Sequence, residues 1–259
     1  MTYNSSCSDI GATLDDRILT LTLNRPAKKN ALTLDMYQAL VDLLEQSTAD
    51  ARVRAVIVTG SKSCFTAGND IQDFMSGGRV DDNHPTIRYL KMITRFPKPL
   101  LAAVSGHAVG IGTTMLLHCD LVYASPDAVF QLPFVNLGLC PEAASSYLLP
   151  RLAGYQRAAE VFLLGEPFDA HRAMSLGIVN GIETDAMAAA VRQAHRIAAK
   201  PPAAVRLTKK LLRAGMAALV EQALQQDTGQ FIERLQSEEA REAFAAFVEK
   251  RDPDFSNFK

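Results

Sequence analysis

Short apolar segments recur along the first half of the chain and are separated by longer segments of mixed character. Residues 17–23, RILTLTL, alternate apolar and polar positions, which predicts one strand of a hairpin. Mostly apolar segments at 53–59 and 100–105, and a shorter one at 121–124, predict buried strands. Strands that alternate with helices are typical of the α/β class, which we therefore predict for this chain.

Helical periodicity fills the intervals between these strands and dominates the chain after residue 140. Thr33 is suited to cap a helix over 34–49, and further helices are predicted at 83–96 and 110–118. The remaining predicted helices cover 143–152, 155–164, 169–176, 184–199, 202–214, 216–235 and 237–249. Because two consecutive prolines at 201 and 202 make a natural boundary, we predict a core of residues 1–200 and a C-terminal helical region of residues 201–259.

Composition and charge narrow the classes of function. The 259 residues are 48% hydrophobic and 21% charged, as in ordinary globular proteins, and the formal net charge is −1. No basic excess indicates a nucleic-acid partner, and no apolar stretch is long enough for membrane insertion. The four cysteines lie far apart, in no metal-binding spacing. We expect a cytoplasmic bacterial protein with reduced thiols and no metal site.

Glycine-rich segments follow two of the predicted strands. CFTAGND at 64–70 follows the strand at 53–59, and SGHAVGIGTTM at 105–115 follows the strand at 100–105. Glycine lets the backbone approach a ligand closely, and a helix start leaves N–H groups free. Two such turns can aim two N–H groups at one oxygen atom, forming an oxyanion hole. The spacing alone is equally consistent with two tight turns that have no chemical role.

Two other interpretations of the second glycine segment are disfavoured. GHAVGIG at 106–112 has the spacing G-x-x-x-G-x-G, not the G-x-G-x-x-G of dinucleotide-binding turns. Ser105 and His107 are close in sequence, but Ser105 does not lie in the G-x-S-x-G turn of serine hydrolases.

The segment GLCPEAASSYLLP at 138–150 contains a single carboxylate, Glu142, among small and apolar residues. From the segment alone, a solvated carboxylate near a helix N-terminus is the simpler interpretation, and a general base is the alternative. A buried thiol is likewise the simpler interpretation of Cys140, because no histidine lies close in sequence to activate it.

Longer motifs resemble the crotonase (enoyl-CoA hydratase/isomerase) superfamily from about residue 10 to at least residue 180. They are LNRPAKKNAL, VIVTGSKSCFTAGNDIQDF, FPKPLLAAVSGHAVGIGTTMLLHCDLVYAS and AVFQLPFVNLGLCPEAASSYLLPRLAG, in that order. The resemblance implies a spiral of ββα repeats followed by a C-terminal helical region. It also implies acyl-CoA thioester substrates, with coenzyme A as part of the substrate and no permanently bound cofactor, and a homo-oligomer, either a trimer or a hexamer.

The same resemblance assigns roles to particular residues. The oxyanion-hole donors would be the backbone N–H groups of Asn69 and Ile111. Lys28 or Lys29 would meet a phosphate of coenzyme A, although solvated surface lysines are an equal alternative. The segment against the adenine end of coenzyme A would be Ala67, Gly68, Asn69, Asp70 and Ile71.

Two substitutions within the motifs bear on the reaction. Hydratases of this superfamily add water with two glutamates, and the matching positions here are Thr114 and Phe134. Efficient hydration is therefore disfavoured. Five shorter motifs together resemble peroxisomal-type Δ3,Δ2-enoyl-CoA isomerases: FTAGND, FPKPL, GHAVGI, PFVNLG and PEAASSY. In those enzymes the glutamate of the last of these segments, here Glu142, is the base. The resemblance thus implies that Glu142 carries a proton from C2 to C4, shifting a 3-enoyl-CoA double bond to 2-trans-enoyl-CoA through a dienolate.

Two alternatives remain open at this stage. One is another reaction of the same superfamily on acyl-CoA, such as weak hydration or thioester hydrolysis, and the other is a non-catalytic acyl-CoA binder. Further predictions concern the surroundings of the site: residues 75–84 form a loop near the acyl pocket, and Asp120 caps or pairs near a strand start. Candidates to line the acyl pocket are Leu90, Ile93, Phe134 and Leu137. Candidates for subunit contact are Ala217, Leu219, Leu224, Phe231, Phe244 and Phe247.

Overall fold

The computed structural model describes residues 3–76 and 81–258, which form two β-sheets surrounded by helices. The strands are β1 (Ile10–Asp15), β2 (Ile18–Leu23), β3 (Ala55–Thr59), β4 (Cys64–Thr66), β5 (Leu100–Val104), β6 (His107–Val109), β7 (Leu121–Ala124), β8 (Val129–Gln131), β9 (Phe168–Asp169) and β10 (Gly181–Ile182). Part of the predicted loop at 75–84, residues 77–80, lies outside the described residues.

After an initial hairpin of β1 and β2, the chain alternates between the two sheets from β3 to β8. The first sheet has the order β1-β2-β3-β5-β7-β10, and the second has the order β4-β6-β8-β9. Strands β3, β5 and β7 run parallel in the first sheet, and β4, β6 and β8 run parallel in the second. The predicted α/β class with repeated pairs of strands is confirmed. The second sheet was not predicted, because its strands of two or three residues are too short for alternation to register in the sequence.

Most helices follow the predicted pattern, but a short helix at Ile71–Ser76 was not predicted, and it includes the first two residues of the predicted loop at 75–84. They are α1 (Leu34–Ala49), α2 (Ile71–Ser76), α3 (Pro85–Arg95), α4 (Ile111–Thr114), α5 (Ser145–Ala153), α6 (Tyr155–Leu164), α7 (Ala170–Ser175), α8 (Ala186–Ala198), α9 (Pro202–Ala214), α10 (Ala217–Leu235) and α11 (Glu238–Glu249). The side chain of Thr33 accepts a hydrogen bond from the N–H of Met36, so the predicted cap of α1 is confirmed. The predicted helix over 110–118 is wrong in detail, since α4 gives way to a 3₁₀ turn at Met115–His118.

The C-terminal helices pack on the rest of the chain. Helix α10 packs against α5, and α11 packs against the 3₁₀ turn at Val135–Leu137. Leu224, Phe231 and Phe244 are buried within the chain, so their assignment to subunit contacts is wrong. Leu219 and Phe247 are exposed, as a subunit surface requires, and the oligomer itself stays a prediction. None of the described helices is long and apolar enough to span a membrane.

Candidate active site

Glu142 lies in an irregular segment between the 3₁₀ turn at Val135–Leu137 and α5. Ala143 and Ala144 both have left-handed backbone conformations, with φ of 58° and 56°. Such φ values cost a non-glycine residue about 1–3 kcal/mol, so the surrounding structure must hold them. Part of that support comes from His118, whose Nε2 donates a 2.7 Å hydrogen bond to the carbonyl oxygen of Ala143. The double left-handed turn delays the start of α5 to Ser145, so the predicted start at residue 143 is wrong.

The side chain of Glu142 is buried, with 5% exposure. It therefore is not the solvated carboxylate that the segment alone suggests. The pKa of Glu142 is raised to about 7, because the raising effect of burial, to which the carboxylate of Asp227 adds, outweighs the lowering effect of the hydrogen bond from Thr114. A carboxyl group with a pKa near 7 can both accept and return a proton at neutral pH.

Thr114 and Phe134 occupy the positions at which the resemblance would place the hydratase glutamates. The Thr114 hydroxyl donates a short hydrogen bond to Oε1 of Glu142, and the whole residue is buried. The ring of Phe134 lies 6.3 Å from that of Phe231, edge to face. One position thus holds the Glu142 carboxylate, and the other forms an apolar wall.

The two glycine turns leave adjacent parallel strands at the same edge of the second sheet. Strand β4 pairs with β6, and each strand runs directly into one of the turns. Gly68 has φ of 95° and passes so close to Val109 that a Cβ would lie 3.0 Å from the Val109 carbonyl oxygen. Gly110 has φ of 56° and ψ of −117° and immediately precedes α4. These backbone conformations bring the segments of Asn69 and Ile111 side by side.

The backbone around Asn69 is fixed on both sides. The N–H of Leu32 donates to the carbonyl of Gly68 at 2.8 Å, and the N–H of Asp70 donates to the carbonyl of Leu32 at 2.9 Å. The hydroxyl of Tyr37 donates to Oδ1 of Asn69 at 2.5 Å. Within residues 3–76 and 81–258, the N–H of Asn69 itself has no acceptor, which leaves it available to a ligand.

Two small cavities meet at this point. The first, of about 90 Å³, is lined by residues of both glycine turns, including Asn69 and Ile111. The second, of about 20 Å³, contains Glu142. Asn69 and Phe231 line both cavities, so the proposed donors and the carboxylate border adjoining spaces. Leu90 lines the second cavity, whereas Phe134 and Leu137 line the first; Ile93 lines neither.

The segments predicted to bind coenzyme A lie next to each other. The N–H of Ala67 donates to the carbonyl of Lys29 at 2.9 Å, and both Lys28 and Lys29 are exposed. Ala67, Gly68 and Ile71 line the first cavity. Asp70 is not among the lining residues; its carboxylate accepts a 2.7 Å hydrogen bond from Arg25, which lowers its pKa against the effect of partial burial.

A larger cavity, of about 650 Å³, lies between the end of α3 and helices α9 and α10. Asn69, Ile111 and Glu142 do not line it, although His118 and Ala217 do. Lys209, in its wall, forms a 2.6 Å ion pair with Asp120, which also accepts a 2.8 Å hydrogen bond from the N–H of Leu100. The predicted structural role of Asp120 is confirmed.

Other reactive groups in the described part of the chain do not form a competing centre. Burial raises the pKa of the Cys140 thiol, which disfavours the thiolate that a nucleophile needs. Among residues 3–76 and 81–258, no group of three histidine, cysteine or acidic side chains is arranged to hold a metal ion.

Helix α10 contributes to the site, which was not predicted from the sequence. Asp227 is buried, and its carboxylate accepts a 2.5 Å hydrogen bond from the Ser146 hydroxyl, next to the Glu142 segment. A signal for it exists in the sequence: Val220, Leu224, Asp227 and Phe231 follow helical spacing, so an acidic residue lies within an apolar stripe. A buried carboxylate at such a position indicates a specific partner.

Comparison with known proteins finds a matching family model and several similar proteins. The family model described as "Enoyl-CoA hydratase/isomerase" matches residues 13–258. The crystal structure of an enoyl-CoA hydratase/isomerase from Pseudoalteromonas atlantica T6c is 42% identical, with a TM-score of 0.91, covering 96% of this chain and 100% of that chain. A 2,3-dehydroadipyl-CoA hydratase of Escherichia coli (strain K12) is 32% identical over 96% of this chain and 98% of the relative. Enoyl-CoA delta isomerase 2 of Rattus norvegicus is 35% identical over 92% of this chain, which spans 63% of that longer protein.

Proposed function

The chain belongs to the enoyl-CoA hydratase/isomerase family, as its motifs predict, and we propose that it isomerises 3-enoyl-CoA to 2-trans-enoyl-CoA with Glu142 as the only proton-transferring carboxylate. The family assigns acyl-CoA thioesters as substrates, whereas the names of the relatives are divided between hydratases and isomerases. The choice between the two reactions therefore rests on the chemistry of the site.

The observation that carries the proposal is the pairing of Glu142 with Thr114. Addition of water needs one group to activate the water and another to protonate the neighbouring carbon. At the positions of the two hydratase glutamates, this chain has a hydroxyl bound to Glu142 and a phenylalanine ring. A double-bond shift needs only one base, because the proton removed from one carbon is returned to another.

The reaction follows from the positions of three groups. The backbone N–H groups of Asn69 and Ile111 would bind the thioester oxygen, and Glu142 would take a proton from C2 onto its Oε2, since Oε1 is held by Thr114. The C2–H electron pair then enters a dienolate whose negative oxygen the two N–H groups stabilise. The same carboxyl group returns the proton to C4, the double bond forms between C2 and C3, and Glu142 is ionised again.

The direct test compares matched substrates. We expect 3-enoyl-CoA to be converted to 2-trans-enoyl-CoA much faster than 2-enoyl-CoA of the same chain length is hydrated. Isomerisation forms a conjugated product and hydration removes the conjugation, so both reactions can be followed by ultraviolet absorbance. Faster hydration would identify a hydratase instead. A protein that binds both thioesters but converts neither, and exchanges no deuterium at C2, would be an acyl-CoA binder.

We predict that isomerisation depends on the ionisation of Glu142. Because its pKa is raised to about 7, the fraction of ionised base and therefore kcat/KM should rise with pH through about 7 and level off above it. Replacing Asp227 with asparagine removes a carboxylate that raises this pKa while keeping an acceptor for the Ser146 hydroxyl. The variant's pH–rate curve should shift to lower pH. An unshifted curve would mean that Asp227 does not act on Glu142.

We also predict a modest effect of the two exposed lysines on coenzyme A binding. Changing both Lys28 and Lys29 to glutamine should raise KM for the coenzyme A thioester by about two- to five-fold, as for a solvent-exposed ion pair. A truncated pantetheine thioester lacks the adenine end of coenzyme A and its phosphates, so the KM for this substrate should not change. Lys200→Gln, at another exposed lysine, is the control. Equal effects on both thioesters would contradict a phosphate contact.

A further inference from the structure

Thr86 has a buried hydroxyl group that the mechanism above does not use. The residue lies in the first turn of α3 and is 5% exposed. Its Oγ1 has no hydrogen-bond partner within residues 3–76 and 81–258. A buried polar atom without a partner is unfavourable, so such an atom in a native protein calls for an explanation.

The surroundings of Thr86 indicate where the partner comes from. Thr86 lines the same 20 Å³ cavity as Glu142 and Asn69, and the remaining lining residues are Ile87, Leu90, Thr228, Phe231 and Ile232. Glu142 is therefore the one ionisable side chain among the residues lining this cavity. Its Oε1 is bound to Thr114, so Oε2 is the oxygen that remains for a proton and for a second partner.

We propose that Thr86 is a positioning residue whose hydroxyl binds the Glu142 carboxyl group when it carries the substrate proton and directs it to C4. The inference rests on the proposed isomerase function. Proton removal from C2 converts Oε2 into an O–H donor, and the Thr86 hydroxyl is an acceptor for it that has no partner of its own among the described residues. No bond to Thr86 is made or broken, and the proton passes from C2 to Oε2 and from Oε2 to C4.

The two threonines then have different tasks. Thr114 belongs to α4 and donates its hydrogen bond to Oε1 of Glu142, whereas Thr86 belongs to α3. The Glu142 carboxyl group must reach both C2 and C4 of one substrate. A hydrogen-bond partner at each of these two positions favours delivery to C4, because without such a partner the carboxyl group can return its proton to either carbon. Thr86 would thus affect the second half of the reaction more strongly than the first.

The test separates those halves with two substrates. Isomerisation of 3-enoyl-CoA requires both removal of the C2 proton and its delivery to C4. A saturated acyl-CoA of the same length has a C2 proton but no double bond, so deuterium exchange at its C2 reports proton removal alone. In Thr86→Val we expect kcat for isomerisation to fall about tenfold, with KM and C2 exchange within twofold of wild type. Thr86→Ser, which keeps a hydroxyl, should recover most of the rate.

Controls distinguish this role from general damage. Ser125 also has a buried Oγ without a partner in the described part of the chain, but it lines neither cavity, so Ser125→Ala should change neither reaction. Because the Thr86 hydroxyl has no partner, Thr86→Val should melt at or above the wild-type temperature. Equal loss of isomerisation and exchange, no loss of either, or failure of Thr86→Ser to recover activity would overturn the inference. A wild-type enzyme that exchanges deuterium at C2 but never isomerises 3-enoyl-CoA would overturn the proposed function as well. That result needs no variant, so it is distinguishable from a failure of the inference about Thr86.

Discussion

Glu142→Gln is expected to lower kcat for isomerisation by about 10²- to 10⁴-fold, the usual contribution of a positioned general base. Glutamine has nearly the same shape, and its amide oxygen can still accept the hydrogen bond that Thr114 donates to Oε1. What it lacks is the ability to take a proton from C2. Binding of the coenzyme A thioester should therefore stay within a few-fold of wild type, since the backbone donors and the lysine segment are untouched.

The same variant should also remove deuterium exchange at C2, because exchange and isomerisation begin with the same proton removal. Glu160→Gln provides a matched control, since Glu160 is an exposed residue of α6 that pairs with Arg172. Retained isomerisation or retained exchange in Glu142→Gln would show that another group is the base. Loss of thioester binding together with activity would instead indicate a structural role for Glu142.

The melting temperature of Glu142→Gln tests independently whether the Glu142 carboxylate is buried. The pKa of Glu142 is raised above its unfolded value, so the folded state holds a proton that the unfolded state has already released. The stability that this group contributes is therefore complete below pH 4.5 and is lost as the pH rises through about 7. At pH 8 the neutral glutamine avoids this loss, and the variant should melt at a higher temperature than wild type. Gaining stability while losing activity is typical of a buried catalytic group.

Local signals explain which parts of the fold could be predicted. Helices α6 and α9 match their predicted ranges residue for residue, because helical periodicity and neighbouring glycine or proline mark their ends. The turn after Glu142 could not be predicted, since two alanines carry no signal for left-handed backbone. It is held by long-range contacts, such as the bond from His118 to Ala143, that only the folded chain provides.

The residues of the candidate site likewise include some that could be predicted from the sequence and some that could not. Motif resemblance predicts Asn69, Ile111 and Glu142 as site residues, and the structure brings their segments to adjoining cavities. Asp227 and Phe231 come from a helix about 85 residues beyond Glu142, outside the motifs that carry the resemblance. Resemblance also treated Thr114 as a missing glutamate, whereas the fold uses it to hold the one that is present. The sequence thus indicates which side chains are present at the site, whereas their hydrogen-bond partners depend on how the chain packs.

Gly110→Ala is expected to lower kcat/KM by about 10²- to 10³-fold, the effect of losing one oxyanion-hole donor. Gly110 has φ of 56° and ψ of −117°, a conformation that side-chain-bearing residues rarely adopt. A Cβ at this position would meet no atom within 4 Å, so the substitution introduces no clash. It acts instead on the backbone, which must rotate toward an allowed conformation. The peptide group that follows Gly110 carries the N–H of Ile111, so that rotation turns the proposed donor away from the thioester oxygen.

Gly154→Ala separates this effect from backbone strain alone. Gly154 also has a positive φ, of 87°, with no atom within 4 Å of a Cβ, but it joins α5 to α6 away from both cavities. The two variants should lose similar amounts of stability, about 1–3 kcal/mol, because both place a side chain in an unfavourable backbone region. Only Gly110→Ala should lose activity, and it should lose C2 exchange and isomerisation equally, since the N–H of Ile111 stabilises the dienolate that both require. Equal activity in the two variants at equal stability would exclude Ile111 as a donor and leave Asn69 to bind the developing oxyanion without it.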